Sequence, residues 1–221
     1  MNKTIEEIVP NCFWLVPQGQ SCNSFLLKGE KKNVLVDSGL QAEAKQLRFS
    51  VMETGLKTKD IGLILHSHCH ADHFSSDFLF ESARVRMHKA DAKPVEKKDA
   101  LATASNLLSA SFFPKIFSFF RKGETINLGN FKLKVLFTPG HTVGSVCFLE
   151  QKNKILFSGD ALFNNGVGRT DLPGGSAKQL LASLELLEKT DFEILCPGHG
   201  SILKRNQKEN IIFAKQALRG N

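Results

Sequence analysis

Four of the seven histidines of this 221-residue chain fall within eight consecutive positions, His66-Ser67-His68-Cys69-His70-Ala71-Asp72-His73, together with one aspartate. Imidazole is costly to bury and poor as core filler, and four protonated rings would repel one another. Neutral imidazoles beside a carboxylate are good ligands for borderline divalent metals. Taken alone, the segment could be a chance His-rich, metal-sticky tract. Three later turns argue against that: residues 138–142 display His141, residues 158–160 display Asp160, and residues 196–200 display His199. Singly, either histidine would read as a hydrogen-bonded structural residue, and Asp160 as a turn cap. Yet each time a strand-like run ends, a glycine-containing turn follows, and one His or Asp is presented. Repetition of that device points to convergence on one site.

The elements that must position these residues are short. Strand-like runs cover 12–16, 24–28 and 33–36, and a helix over 41–54 places Ala44, Leu47 and Val51 on one face with Gly55 as its stop. The apolar run 61–65 reads as a buried strand delivering the histidine loop, as rigid scaffolds often do. Phe131, Leu133, Val135 and Phe137 alternate with lysines, the pattern of a half-buried strand. Residues 143–150 and 154–157 read as a hairpin. Ser176 can cap a helix carrying Leu180, Leu184 and Leu187, a strand at 192–195 precedes the His199 turn, and 208–218 closes the chain as a helix. Strands and a helix followed by the same again imply an α/β fold, two sheets face to face with helices outside.

His68-x-His70-x-Asp72-His73, then His141, Asp160 and His199, resemble the five-motif pattern of the metallo-β-lactamase fold, and Asp37 in Val34-Leu35-Val36-Asp37-Ser38-Gly39 matches its first motif. The resemblance implies one domain over residues 1–221, an αββα four-layer sandwich of two mixed β-sheets flanked by helices. It implies that His68, His70 and His141 hold one metal and Asp72, His73 and His199 a second, with Asp160 bridging them. Asp37 would orient a ligand histidine without touching metal. The cofactor expected is two divalent ions, zinc first, with iron and manganese accommodated by the same donors. Seven ligands shared between two ions leave positions open, the mark of a catalytic site. Two ions can lower the pKa of a bridging water toward neutrality, and Asp72 can hold or accept its proton.

The stretch 160–175 is similar to the glyoxalase II-like group, which implies hydrolysis of acyl thioesters, or of related esters and lactones, by a metal-bridging hydroxide. Asp160 argues against β-lactamase activity, since true β-lactamases of this fold generally lack it. Two departures stand out: only 22 residues follow His199, and the chain has no tyrosine. Both suggest a thiol carrier other than glutathione. Persulfide dioxygenases share the ligand pattern but use a single iron, and they form the first alternative. A nuclease or phosphodiesterase is the second. Arg169 reads either as an anion contact near the metals or as an ion pair with Asp171.

Residues 107–121 contain five phenylalanines in nine positions, broken by Pro114. A Phe-rich helical insertion at about 100–122 is expected there, either as a lid placing Phe117 and Phe120 against substrate, a homodimer contact, or ordinary core. A net charge of +7 and 42% apolar composition fit a cored domain with a basic surface. That charge favours a small, anionic substrate; without a basic run interleaved with aromatics, nucleic acid is not the expected partner. No stretch reaches a membrane span. Glu6 and Glu7 occupy the place of a signal peptide's apolar core, and five scattered cysteines without a CxxC pair argue against disulfides. A cytoplasmic location is expected.

Overall fold

A computed structural model describes residues 3–219. The first sheet runs in chain order through β1 (Ile5–Val9), β2 (Cys12–Leu15), β3 (Ser24–Lys28), β4 (Asn33–Val36), β5 (Ile61–Leu65), β6 (Arg84–Met87) and β7 (Ile116–Phe119). Its first four strands are antiparallel neighbours and β4 to β7 are parallel. The second sheet has β8 (Thr125–Asn127), β9 (Lys132–Phe137), β10 (Val146–Glu150), β11 (Ile155–Gly159) and β12 (Ile194–Pro197), with only the β11–β12 pair parallel.

Alternation along each strand builds the layers. Phe25, Leu27, Val34, Val36 and Leu65 from the first sheet meet Leu133, Val135, Phe148 and Phe157 from the second in one core. The intervening residues Leu26, Leu35 and Ile64 face outward, where Leu47 and Val51 of α1 (Ala44–Glu53) cover them. On the far side, Leu149, Leu156 and Leu195 are covered by Leu180, Leu184 and Leu187 of α4 (Ala177–Glu188) and by Ile211 and Ala214 of α5 (Gln207–Arg219). Two short helices, α2 (Ala71–Phe74) and α3 (Lys89–Lys97), follow β5 and β6. The result is an αββα sandwich of two mixed sheets. Among the described residues, no helix is long and apolar enough to cross a membrane.

The Phe-rich stretch departs from expectation. No helix lies between residues 100 and 122; turns lead instead into β7, paired parallel with β6. Pro114 denies helix continuation, and the residues after it alternate, Ile116 and Ser118 half-buried, Phe117 and Phe119 exposed. In place of the expected helical insertion, period-two alternation makes a strand.

Candidate metal centre

The parallel arrangement of β4, β5 and β6 brings their C-terminal ends to one edge of the sandwich, and β9, β11 and β12 end opposite them. His68, His70, Asp72 and His73 leave β5; His141 follows β9, Asp160 follows β11, and His199 follows β12. The structure thus gathers the seven sequence-nominated residues. Close backbone approach is built in: a Cβ on Gly198 would lie 2.2 Å from Asp160 Oδ1.

Three ring nitrogens, His68 Nε2, His70 Nδ1 and His141 Nε2, converge at 2.8–3.2 Å from one another. Tetrahedral ligation with metal–nitrogen bonds near 2.05 Å puts nitrogens about 3.3 Å apart. Protons cannot satisfy all three contacts. His141 Nδ1–H donates to the Arg169 carbonyl (2.7 Å), so its Nε2 presents a lone pair. Ser67 Oγ donates to Asp37 Oδ2 (2.7 Å), so it accepts from His68 Nδ1–H (3.0 Å), and His68 Nε2 is likewise a lone pair. A cation can satisfy what hydrogens cannot.

A second set adjoins the first. His199 Nε2 lies 3.1 Å from Asp72 Oδ2, and His73 Nε2 lies 3.3 Å from Asp160 Oδ1. Asp160 Oδ2 is 3.5 Å from His141 Nε2 and 3.7 Å from His199 Nε2, so this carboxylate faces both sets. His73 Nδ1 donates to Asp37 Oδ2 (2.9 Å), which turns Nε2 toward the cluster. Both His73 Nε2 and Asp160 Oδ1 are buried without a hydrogen-bond partner. Orphaned buried groups of this kind call for an ion or water.

Protonation states favour metal. Burial and the neighbouring imidazoles of His73 and His141 drive His68 well below its ordinary pKa, and burial with His141 takes His70 to about 3. Burial opposes ionisation of Asp160 and Asp72, but His73 and His199 hold both carboxylates below their usual range. Burial would lower His73 too, yet the surrounding Cys22, Asp160, Asp37 and Asp72 lift it well above. The carboxylates around His73 thus favour positive charge at the second set.

Residues outside the seven hold these side chains in place, Asp37 among them as the resemblance implied, and Asp91 without any sign in the sequence. Asp37, at a left-handed φ of 55°, receives Ser67 N–H (2.8 Å) as well as the Ser67 hydroxyl and His73, so it orients histidines of both sets. His66, inside the octet, turns away from the cluster to Asp77 (2.8 Å) and Asp37 (3.5 Å); burial is outweighed by these carboxylates and its pKa rises to about 9. Asp91 on α3, 2% exposed, accepts from Cys69 N–H (3.0 Å), Gly144 N–H (2.6 Å) and Thr142 Oγ1–H (2.6 Å), tying the two loops that carry the first histidine set. Cys69 is buried with its sulfur toward the Ala102 carbonyl, and burial raises the thiol.

A cavity of about 430 Å³ opens over the cluster, lined by His70, Asp72, His141, Asp160 and His199 on its floor and by Ala104, Leu107, Leu108, Phe163, Arg169 and Leu172 around it. Neither nominated phenylalanine reaches it. Phe120 is core, 6% exposed and 5.4 Å from the Phe148 ring; Phe117 lies under the Arg84 guanidinium in a different cleft. The strand geometry of β7 sends Phe117 outward, and the Leu107–Leu108 turn supplies the wall instead. Arg169 lines the cavity but pairs through Nε and Nη2 with both Asp171 oxygens (2.7 and 2.6 Å).

Comparison with known proteins agrees with this geometry. The sequence matches the family model of the metallo-beta-lactamase superfamily over residues 17–199. The chain belongs to that superfamily. Its members include "Probable metallo-hydrolase MJ0888" of Methanocaldococcus jannaschii, 36% identical over 83% of this chain and 90% of the relative. "Hydroxyacylglutathione hydrolase GloC" of Haemophilus influenzae is 31% identical over 86% of this chain and 90% of its own length. Among solved structures, TTHA1623 "in a di-iron-bound form" superposes with a TM-score of 0.73 at 32% identity, covering 86% of this chain and 93% of that one. The chain is a metallo-hydrolase of this superfamily, with His and Asp clusters suited to divalent metals.

Proposed function

We propose that this superfamily member is a binuclear hydrolase of acyl thioesters, with related esters or lactones as secondary substrates. The observation that carries the reading is Asp160, whose carboxylate lies between the two donor sets at the floor of one open cavity, Oδ1 near His73 and Oδ2 near both His141 and His199. His68, His70 and His141 would hold one ion, and Asp72, His73 and His199 the other, with Asp160 shared. Bound there, such ions supply Lewis acidity and a nucleophilic water at neutral pH. The similarity to a hydroxyacylglutathione hydrolase supports thioester chemistry, and the di-iron relative supports paired ions, iron included.

The chain's own residues perform the rest. Hydrolysis forms a C–O bond to the acyl carbon and breaks the C–S bond; the thiol leaves with one proton of the water. The Asp72 carboxylate, on the cavity floor and held ionised by His73 and His199, is placed to take a proton from water. His141, fixed by the Arg169 carbonyl, and His73, fixed by Asp37, keep their lone pairs directed at the site so that no reorganisation accompanies the reaction.

The test is metal analysis of protein purified without chelators, paired with a thioester panel that includes S-lactoylglutathione. Two equivalents of metal and thioester turnover are expected, and Asp160→Ala should lose both the second equivalent and turnover. One equivalent of iron with oxygen uptake on a persulfide would replace this reading with the dioxygenase one.

A further inference from the structure

The cavity walls restrict what can flank the reacting carbonyl. One wall is the turn-rich segment containing Ala104, Leu107 and Leu108, and it is fixed to the ligand loop. Ala71 N–H, between His70 and Asp72, donates to the Thr103 carbonyl at 2.9 Å, and the Cys69 sulfur points to the Ala102 carbonyl. Leu108 anchors the segment on the cluster of Cys69, Phe74 and Met87. Leu107 is left at the cavity, 65% exposed. A leucine held bare beside a catalytic floor by a tied-down turn gains from being covered by hydrocarbon. The same cavity is also lined by Phe163, packed edge-on to the His199 ring at 5.9 Å, and by Leu172.

Charge points the same way. Among the described residues lining the cavity, Arg169 is the one lysine or arginine, and both oxygens of Asp171 already occupy its guanidinium. A carrier with free carboxylates would meet a guanidinium whose charge is already paired, with only its remaining N–H groups to offer, and would set its other charges beside leucine.

On the basis of the proposed hydrolase reading, we infer that the substrate is uncharged on both sides of the reacting carbonyl, with a hydrocarbon arm against Leu107 and Leu172, and that these two leucines set specificity. Glutathione, with two carboxylates and an ammonium, is then the wrong carrier. The inference departs from what similarity to a hydroxyacylglutathione hydrolase would suggest.

The experiment uses the metal-loaded enzyme and three acetyl thioesters: of glutathione, of N-acetylcysteamine, and of 3-phenylpropanethiol. Each kcat/KM is divided by the ester's own alkaline hydrolysis rate to remove leaving-group reactivity. The phenylpropyl ester should exceed the glutathione ester by about tenfold or more, the scale on which apolar pockets discriminate. N-acetylcysteamine should fall between them. Leu107→Lys and, from a different segment of the lining, Leu172→Lys should each move the ratio toward glutathione by about tenfold. Leu107 is exposed enough for its lysine variant to fold, and the second variant covers the case where one does not. A preference for the glutathione ester, or a ratio that neither lysine moves, overturns the inference alone. No turnover of any of the three with metal bound overturns the thioester reading, and the inference falls with it.

Discussion

Asp91 offers the sharpest test of how the site is assembled, because it touches no ligand side chain. Its carboxylate, 2% exposed, collects Cys69 N–H, Gly144 N–H and Thr142 Oγ1–H at 3.0, 2.6 and 2.6 Å. Cys69 lies between His68 and His70, and Thr142 follows His141, so one carboxylate sets the spacing of all three imidazoles. Asp91→Ala strands two buried amides; Thr142 keeps Ser145 Oγ as partner at 2.7 Å. An orphaned buried donor costs about 1–3 kcal/mol, so two cost about 2–6 kcal/mol. Removing the carboxylate offsets part of this, since burial pushes the Asp91 pKa up and marks a desolvation cost in the native protein. A net loss of about 2–4 kcal/mol lowers Tm by roughly 4–16 °C in a domain of this size. The more diagnostic effect is on metal: loss of an outer support of ligands weakens metal affinity by about 10–100-fold. Competition against a chromophoric chelator measures that affinity, and differential scanning fluorimetry with and without metal measures stability. Asp91→Asn, which keeps an acceptor oxygen, should fall between wild type and alanine in both assays. A variant that loses stability while binding metal as tightly as wild type would refute the positioning role and leave Asp91 a fold residue only.

Two further outcomes follow from the structure, the first from the corrected placement of Phe120. Phe120→Ala should cost about 3–5 kcal/mol through the cavity left against Phe148, measured by chemical denaturation, with KM for short and long acyl substrates unchanged; a chain-length-dependent KM would return Phe120 to the substrate path. Glu124 carries the pH dependence. Burial disfavours its charge, but the two-pronged contact with Arg86 at 2.8 and 3.0 Å holds its pKa below the usual carboxylate range. Its folded pKa lies below the unfolded one, so the contribution is complete at neutral pH and disappears as pH falls through the folded value. Glu124→Gln should therefore lower Tm near pH 7, by about 1–4 °C for a partly buried pair worth about 0.5–1 kcal/mol, and the difference should vanish once pH falls below the folded value. Equal Tm differences at both pH values would show that the contact matters for packing and not for charge.

The convergence of the candidate ligands was legible because their chemistry is rare: imidazoles in a loop, and single His or Asp residues after glycine turns, have few other uses at strand ends. The layers were legible for a similar reason, since Leu133 and Val135 alternate with lysines and Leu180, Leu184 and Leu187 recur at helical spacing. What the sequence concealed is what joins these parts. Asp91 meets its partners across 22, 51 and 53 positions, and an aspartate near a helix start carries no local sign of that. Arg169 was half legible: its ion pair with Asp171 is one of the two readings of its side chain, but the carbonyl that holds His141 is not. A backbone oxygen has no letter in the sequence. The phenylalanines misled through composition, since counting five rings in nine positions ignores that Ile116 and Ser118 alternate with Phe117 and Phe119 across a sheet. In each case side-chain identity tells what a residue can bind, whereas long-range hydrogen bonds decide where it is held. A metal centre with two donor sets depends on both, because lone pairs aimed a few tenths of an ångström apart come from loops that meet only once the two sheets have packed.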